Sequence, residues 1–185
     1  FLTSSDYSGA APSASTAFLL QPWAPINDEN GELVLFPEGS MLNPYATLDL
    51  EDSDKRLNIF ANFHADIKLP LKGLNYRINY SQNYRTANHD QYNPYGANQT
   101  GSGYKNSSMN YDWTVDNILS FNRTFNDIHN INATAVYGVE KRTGSYTYPS
   151  AQGFVNGSLG YNRLQAGDPT LNSIQTGAWQ ETSLY

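Results

Sequence analysis

Between Arg56 and Leu69 apolar and polar side chains alternate with a period of two. Leu57, Ile59, Ala61, Phe63, Ala65, Ile67 and Leu69 hold the odd positions. Arg56, Asn58, Asn62, His64, Asp66 and Lys68 hold the even ones, with Phe60 the exception. Successive side chains of a strand point to opposite faces, so this segment is a strand with one apolar face; a helix would scatter the same residues around its axis. After Pro70-Leu71-Lys72-Gly73 the pattern restarts. Leu74, Tyr76, Ile78 and Tyr80 oppose Asn75, Arg77, Asn79, Ser81, Asn83 and Arg85, with a lapse at Gln82 before Tyr84 rejoins the apolar side. From Met109 to Phe125, Tyr111, Trp113, Val115, Leu119 and Phe121 oppose Asn110, Asp112, Thr114, Asp116, Ser120 and Asn122. Asn117, Ile118 and Arg123 interrupt this third run, which reads as a bulge or an imperfect strand. Asn126-Asp127-Ile128-His129 makes a second short turn, and Ile131, Ala133, Ala135, Tyr137 and Val139 then oppose Asn132, Thr134, Gly138 and Glu140. Strands are therefore expected at 56–69, 74–85, 109–125 and 130–140, with a further one starting at Trp179.

The connections alternate in length: short after the first and third strands, long at 86–108 and from 141 onward. Residues 1–55 lack a period and carry five of the nine prolines. They read as a long ordered loop preceding the first strand, with Phe18, Leu19, Trp23, Leu33 and Phe36 to pack it and Leu33–Phe36 as one strand of a small hairpin after the Asp28–Gly31 turn. Residues 141–185 read as another long loop and the start of the next strand. Long loops count against a compact soluble domain, whereas outer-membrane barrels pair short periplasmic turns with long extracellular loops.

Two architectures accommodate the alternation. In a soluble sandwich the apolar face is core and the polar face is solvated. In a transmembrane barrel the apolar face meets lipid and the polar face lines the lumen. Periodicity alone does not separate them. Strand length favours the barrel, because soluble strands run about five or six residues and a tilted bilayer crossing needs about nine to eleven. Aromatic placement agrees: Tyr84, Tyr111 and Trp113 fall towards the long-loop ends of their strands, and Phe121 and Phe125 towards the short-turn ends, like interfacial belts. The expected fold class is all-β, antiparallel strands forming part of a large transmembrane β-barrel with long extracellular loops. Four or five strands cannot close a barrel, so sequence outside this chain would complete it.

On that reading the lipid-facing set is Leu57, Ile59, Phe63, Ile67, Leu74, Tyr76, Ile78, Tyr80, Tyr111, Trp113, Val115, Leu119, Phe121, Ile131 and Tyr137. The lumen-facing set is Arg56, His64, Asp66, Arg77, Arg85, Asp112 and Asp116.

Composition narrows the chemistry. Among 185 residues, 15% are charged, 17 acidic against 11 basic, while Asn numbers 21 and Tyr 14. The acidic balance without a Lys/Arg cluster argues against nucleic acid as a partner. With no Cys there is neither a disulfide framework nor a thiolate metal site. The apolar runs at Ala17–Leu20 and Leu33–Phe36 are too short for a membrane helix. Neither a starting Met nor a signal-peptide pattern is present, so Phe1 reads as an internal position. His64, His89 and His129 lack the spacing of a catalytic or metal set, Asp28–Gly31 and Glu51–Asp54 lack the periodicity of a calcium loop, and Asn-X-Ser/Thr sequons such as those at Asn98, Asn106, Asn122, Asn132 and Asn156 are what an Asn-rich chain produces. The expectation is a non-enzyme without metal or cofactor. Tyr92, Tyr95 and Tyr104 in one long loop, and Tyr146, Tyr148, Phe154 and Tyr161 in the other, are the substrate-binding candidates. Aromatic faces beside amide and carboxylate side chains suit sugar or peptide recognition, or else pack the loops on themselves.

Asn43-Pro44-Tyr45-Ala46 followed by Arg56-Leu57, Leu71-Lys72-Gly73-Leu74 before a Tyr-rich strand, Trp113 with Asn117-Ile118-Leu119, then Phe125-Asn126-Asp127 and His129-Asn130-Ile131-Asn132, ending near Gly138, occur in that order. In this the chain resembles the SusC/RagA-type TonB-dependent outer-membrane transporters, over about residues 43–140. The resemblance implies a 22-stranded barrel in the bacterial outer membrane, plugged by an N-terminal domain, of which this chain is an internal piece. It implies import of oligosaccharides or peptides, a SusD-like surface lipoprotein as lid, and energy from a TonB complex reached through parts of the protein outside this segment. A secreted β-sandwich that binds glycans through its loops is the alternative.

Overall fold

The computed structural model describes residues 1–8, 14–39, 41–96, 100–126 and 128–185. Asp127 of the second turn and the sequon at Asn98 lie outside the described residues. Six strands, β1 (Leu2–Ser8), β2 (Glu51–Lys68), β3 (Leu74–Asn93), β4 (Ser102–Phe125), β5 (His129–Gln152) and β6 (Ser173–Leu184), form one antiparallel sheet in chain order. A short α-helix (Ala14–Ala17) and two 3-10 helices (Pro44–Asp49 and Gly160–Ala166) lie in the connections. Among the described residues β1 and β6 each pair on one side only, which leaves both edges of the sheet open.

The strands run well beyond the expected boundaries, chiefly at the long-connection end. Thr86–Asn93, assigned to a loop from sequence, pairs with Ser102–Met109, and β5 continues past Glu140 to Gln152. The expected loop 86–108 thereby shrinks to the residues between Asn93 and Ser102, and the last strand begins at Ser173, not Trp179. These extensions are polar on both faces, so they carry no hydrophobic period, yet backbone pairing needs none. The same applies to Leu2–Ser8, which pairs with Ser53–Ile59 although residues 1–55 read as loop. The expected hairpin at Leu33–Phe36 is reduced to a single bridge, Asn27 with Leu33.

Register places the alternating residues on two faces. Phe63, Tyr80, Val115, Val139 and Leu184 are directly paired from β2 to β6, an apolar row across five strands. Ile67, Tyr76, Leu119 and Ala135 form a second row, and Ile59, Tyr84 and Tyr111 a third, Tyr84 and Tyr111 meeting edge to face at 6.3 Å. The resulting band spans Leu57–Ile67 on β2 and Leu74–Tyr84 on β3. Beyond it the same face turns polar, with Lys55, Asn88, Asp90, Lys105, Ser107 and Thr147. Apolar side chains of the band are open rather than packed under a second layer: Phe63 is 62% exposed and Tyr137 55%. On the opposite face Phe60, Ile118 and Val136 are apolar exceptions among polar residues.

The lapses in the alternation have partners. At Asn117 the register continues without a bulge, against Ile78 on one side and Tyr137 on the other. The Tyr76 hydroxyl donates to Asn117 Oδ1 at 2.5 Å, and Asn117 Nδ2 donates to the Tyr137 carbonyl at 3.3 Å. Gln82 Oε1 accepts from the hydroxyls of Tyr80 (2.8 Å) and Tyr111 (3.1 Å). Both of these amides are thus capped by tyrosine. Tyr76→Phe is expected to lower stability by about 1–3 kcal/mol, because it strips the amide oxygen of its donor, and Asn117→Leu in that background should recover most of the loss. Urea unfolding of the single and double variants measures both.

The Asn43-Pro44-Tyr45-Ala46 motif organises the first connection. Asn43 is buried; its Nδ2 donates to the carbonyls of Ile26 (3.1 Å) and Val34 (2.9 Å), and its Oδ1 accepts from the Tyr45 N–H (3.1 Å). It caps the 3-10 helix that Pro44 opens and fastens a segment otherwise poor in regular structure.

Candidate functional site

All seven residues expected to face a lumen lie on the polar face of the sheet, because they share the parity that the register preserves from strand to strand. Ion pairs bring several together. Asp66 and Arg77 form a bidentate pair at 2.6 and 3.0 Å. Arg85 reaches Asp112 at 2.6 Å, and Asp116 accepts from the Tyr185 hydroxyl at 2.6 Å. Arg56 pairs with Asp54 at 2.7 Å, and the guanidinium hydrogen bond holds the Asp54 carboxyl below the usual carboxylate range. His64 stands opposite Asn79 on the same face. Sequence reading missed Asp52, Asp54, His89, Arg142, Trp179 and Tyr185 on this face. Continuing the period of two outward from Arg56 and Glu140 would have reached Asp54, Asp52 and Arg142.

Between the ion pairs lies a cavity of about 420 Å³, bounded on this face by Thr3, Ser5, Arg56, Asn58, Arg85, Ala87, Ser108 and Asn110. The amide oxygens Asn58 Oδ1 and Asn83 Oδ1 beside it are buried and accept no hydrogen bond from the described residues. Nearer the long-connection end a cavity of about 260 Å³ is lined by Gln91, Asn93, Ser102, Tyr104, Tyr148, Ser150 and Gln152. Tyr104 and Tyr148 stack at 5.2 Å, and His89 meets Tyr104 edge to face at 5.4 Å while bonding Asp52 Oδ1 at 2.8 Å. Burial, and then the charge of Asp52, push the Tyr104 phenol up from its ordinary value.

The seven aromatics assigned to loops divide by face. Tyr104, Tyr146 and Tyr148 are strand residues on the polar face. Tyr92 has the opposite parity and is buried against Phe154, edge to face at 5.1 Å. Tyr161 sits under the Lys105 ammonium at 4.8 Å, on that same side. Tyr95 holds the first connection by donating to Asp49; burial and that bond push its phenol up to about 12. Tyr92, Phe154 and Tyr161 therefore dock the β5–β6 connection onto the polar outer part of the banded face. The acidic turns are occupied internally: Asp28 Oδ1 accepts from the N–H groups of Asn30 and Glu32, and Asp52 and Asp54 are paired on β2.

The docked connection is also fastened by Asp168, whose Oδ1 accepts from the Thr170 N–H (2.8 Å) and hydroxyl (2.7 Å). These bonds lower the Asp168 pKa from 3.8. A depressed carboxyl stabilises above its unfolded pKa and ceases to do so as pH falls through its folded value. Hydrogen exchange at Thr170 should therefore be flat from neutral pH to about 4, after correction for intrinsic rates, and should accelerate below it, with Asp168→Asn flat throughout.

Three glycines on the polar face are covered by aromatic rings. Asn110, Gly144 and Trp179 are paired in one row, and Asp116, Gly138 and Tyr185 in another. A Cβ on Gly144 would lie 2.3 Å from Trp179 Nε1, and one on Gly138 the same distance from the Tyr185 ring. Tyr146 lies likewise across Gly177, where a Cβ would come within 2.4 Å. Each ring lies across its glycine.

The class defined by this geometry is an open antiparallel β-wall, polar on one face and carrying an apolar band of membrane-crossing length on the other. In sequence the chain is 28% identical, over 119 residues, to TonB-dependent receptor P39 of Formosa agariphila, an alignment covering 62% of this chain and 11% of that receptor. In fold it is similar to a chain in the structure of the RagAB peptide transporter, with a TM-score of 0.68 and 18% identity over 85% of this chain and 18% of that one. No family model matches. The chain thus spans about a tenth of the length of the curated relative it matches; its sequence is similar to part of a TonB-dependent receptor and its fold to part of a chain in a peptide-transporter structure.

Proposed function

We propose that this chain is a wall segment of a SusC-like, TonB-dependent importer in the bacterial outer membrane. The observation that carries the reading is the band of directly paired apolar rows left open on one face of a sheet whose two edges are also open. In water such a face and such edges are liabilities. In a closed barrel lipid covers the first and neighbouring strands cover the second. On this reading the lipid-facing and lumen-facing residues are the two sets named from sequence, and the polar strand extensions project beyond the bilayer. A plug, a TonB complex and a SusD-like surface lipoprotein would complete the importer, and its cargo is an oligosaccharide or a peptide. The test is fractionation and uptake: the full-length protein should enter the outer membrane of its host and support growth on its cargo only while TonB is present. Recovery of the full-length protein in the aqueous phase without detergent would overturn the reading.

A further inference from the structure

The polar face carries an aromatic strip that the ion pairs do not explain. Tyr148, Tyr146 and Trp179 follow one another down the β5–β6 pair, at the levels of positions 148, 146 and 144 of β5, and Tyr185 lies further on at the level of position 138, past the Arg142–Glu140 pair. At about 3.3 Å per residue this is a run of roughly 33 Å. Tyr104 widens its outer end by stacking on Tyr148. Tyr146, Trp179 and Tyr185 are 46%, 49% and 58% exposed. A ring laid across a glycine buries one π face, so half-exposure means that the other looks out from the sheet.

We propose that this strip is a binding track for a neutral oligosaccharide; the assignment rests on the importer reading, under which the polar face borders the interior. Three observations choose the ligand class. The backbone amides of β5 are committed to ladders on both sides, and on the importer reading the outer edge of β6 is covered by a neighbouring strand, so a peptide finds no main-chain edge to pair with and only side chains remain. The groups beside Trp179 are Asp112, Arg142 and Glu181 in one row, with Glu140 paired to Arg142. Asp112 is in turn paired with Arg85, which shares the row of Asn110, Gly144 and Trp179, so three carboxylates face two guanidiniums there and the net negative charge disfavours an anionic chain. Exposed aromatic faces flanked by carboxylates and amides match a sugar ring, which offers an apolar C–H face for stacking and hydroxyls at its edge for hydrogen bonds.

Calorimetry on the purified full-length protein in detergent tests this, with maltohexaose, cellohexaose, xylohexaose and mannohexaose as neutral probes, oligogalacturonate as the anionic probe, and hexa-alanine and hexa-lysine as peptides. At least one neutral hexasaccharide should bind. Trp179→Ala should weaken it about tenfold or more, as removal of a stacking partner does, and Trp179→Phe, which keeps a ring over Gly144, by less than about threefold. A urea midpoint unchanged in Trp179→Phe separates lost binding from lost folding. Silence of all four neutral probes, tighter binding of oligogalacturonate or of either peptide, or equal affinity of Trp179→Ala and the parent would overturn the track. The importer reading fails instead on location or TonB dependence, neither of which calorimetry reads.

Discussion

Arginine in place of Val115 is expected to cost the full-length protein about 2–4 kcal/mol in phospholipid bilayers, the range for a cation at the mid-plane of a lipid-exposed barrel face. Val115 stands in the middle of the row from Phe63 through Tyr80 and Val139 to Leu184, with apolar partners directly opposite on both sides. On the importer reading that row meets lipid, and the carboxylates nearest in sequence, Asp116 and Glu140, lie on the opposite face and leave the guanidinium without a partner. Thr114→Arg is the control, one position away on the other face between Ser81 and Glu140. It gains a carboxylate neighbour and should stay within about 1 kcal/mol of the parent. Urea unfolding of both variants in liposomes gives the difference. If both cost equally little, the band does not face lipid.

Gly73→Ala is expected to lose about 3 kcal/mol, more than a turn glycine ordinarily would. Gly73 closes the β2–β3 turn at φ +92°, where a Cβ is unfavourable in itself. That Cβ would also lie 2.3 Å from the Asn122 carbonyl oxygen on β4. Backbone cannot rotate away as a side chain can, and the Asn122 N–H already donates to the Gly73 carbonyl at 2.8 Å. The turn of one hairpin is therefore seated on the next strand. Gly31→Ala makes the comparison, since Gly31 has φ +83° but nothing within 4 Å of its Cβ position. It should lose only the conformational part, about 1 kcal/mol. The same urea titration reads both substitutions, and equal losses would mean that the approach to Asn122 is relaxed at no cost.

These two results bear on different parts of what a linear reading of the chain reaches. The alternation around Val115 was visible residue by residue, as were the short turns and the parity that sets Asp66, Arg77, Arg85 and Asp112 on one face. Gln82 and Asn117 read as faults in that pattern, and the latter as a bulge, because the hydroxyls that satisfy them come from Tyr80, Tyr111 and Tyr76, two of these on other strands. Tyr92 and Tyr104 looked equivalent in sequence, both aromatic within an apparent loop. Extending the ladder through Thr86–Asn93 and Ser102–Met109 gave them opposite faces, one to dock a connection and the other among the polar side chains of the opposite face. Trp179 and Tyr185 acquire their roles only from Gly144 and Gly138 across the pair.

Local order along this chain therefore settles which stretches become amphipathic strands, since side-chain parity depends on nothing beyond neighbouring residues. How far the ladders continue past the apolar stretches, which rings stack, and which glycines lie beneath an aromatic depend on cross-strand register. Register joins residues tens of positions apart, and its backbone hydrogen bonds leave no trace in side-chain polarity.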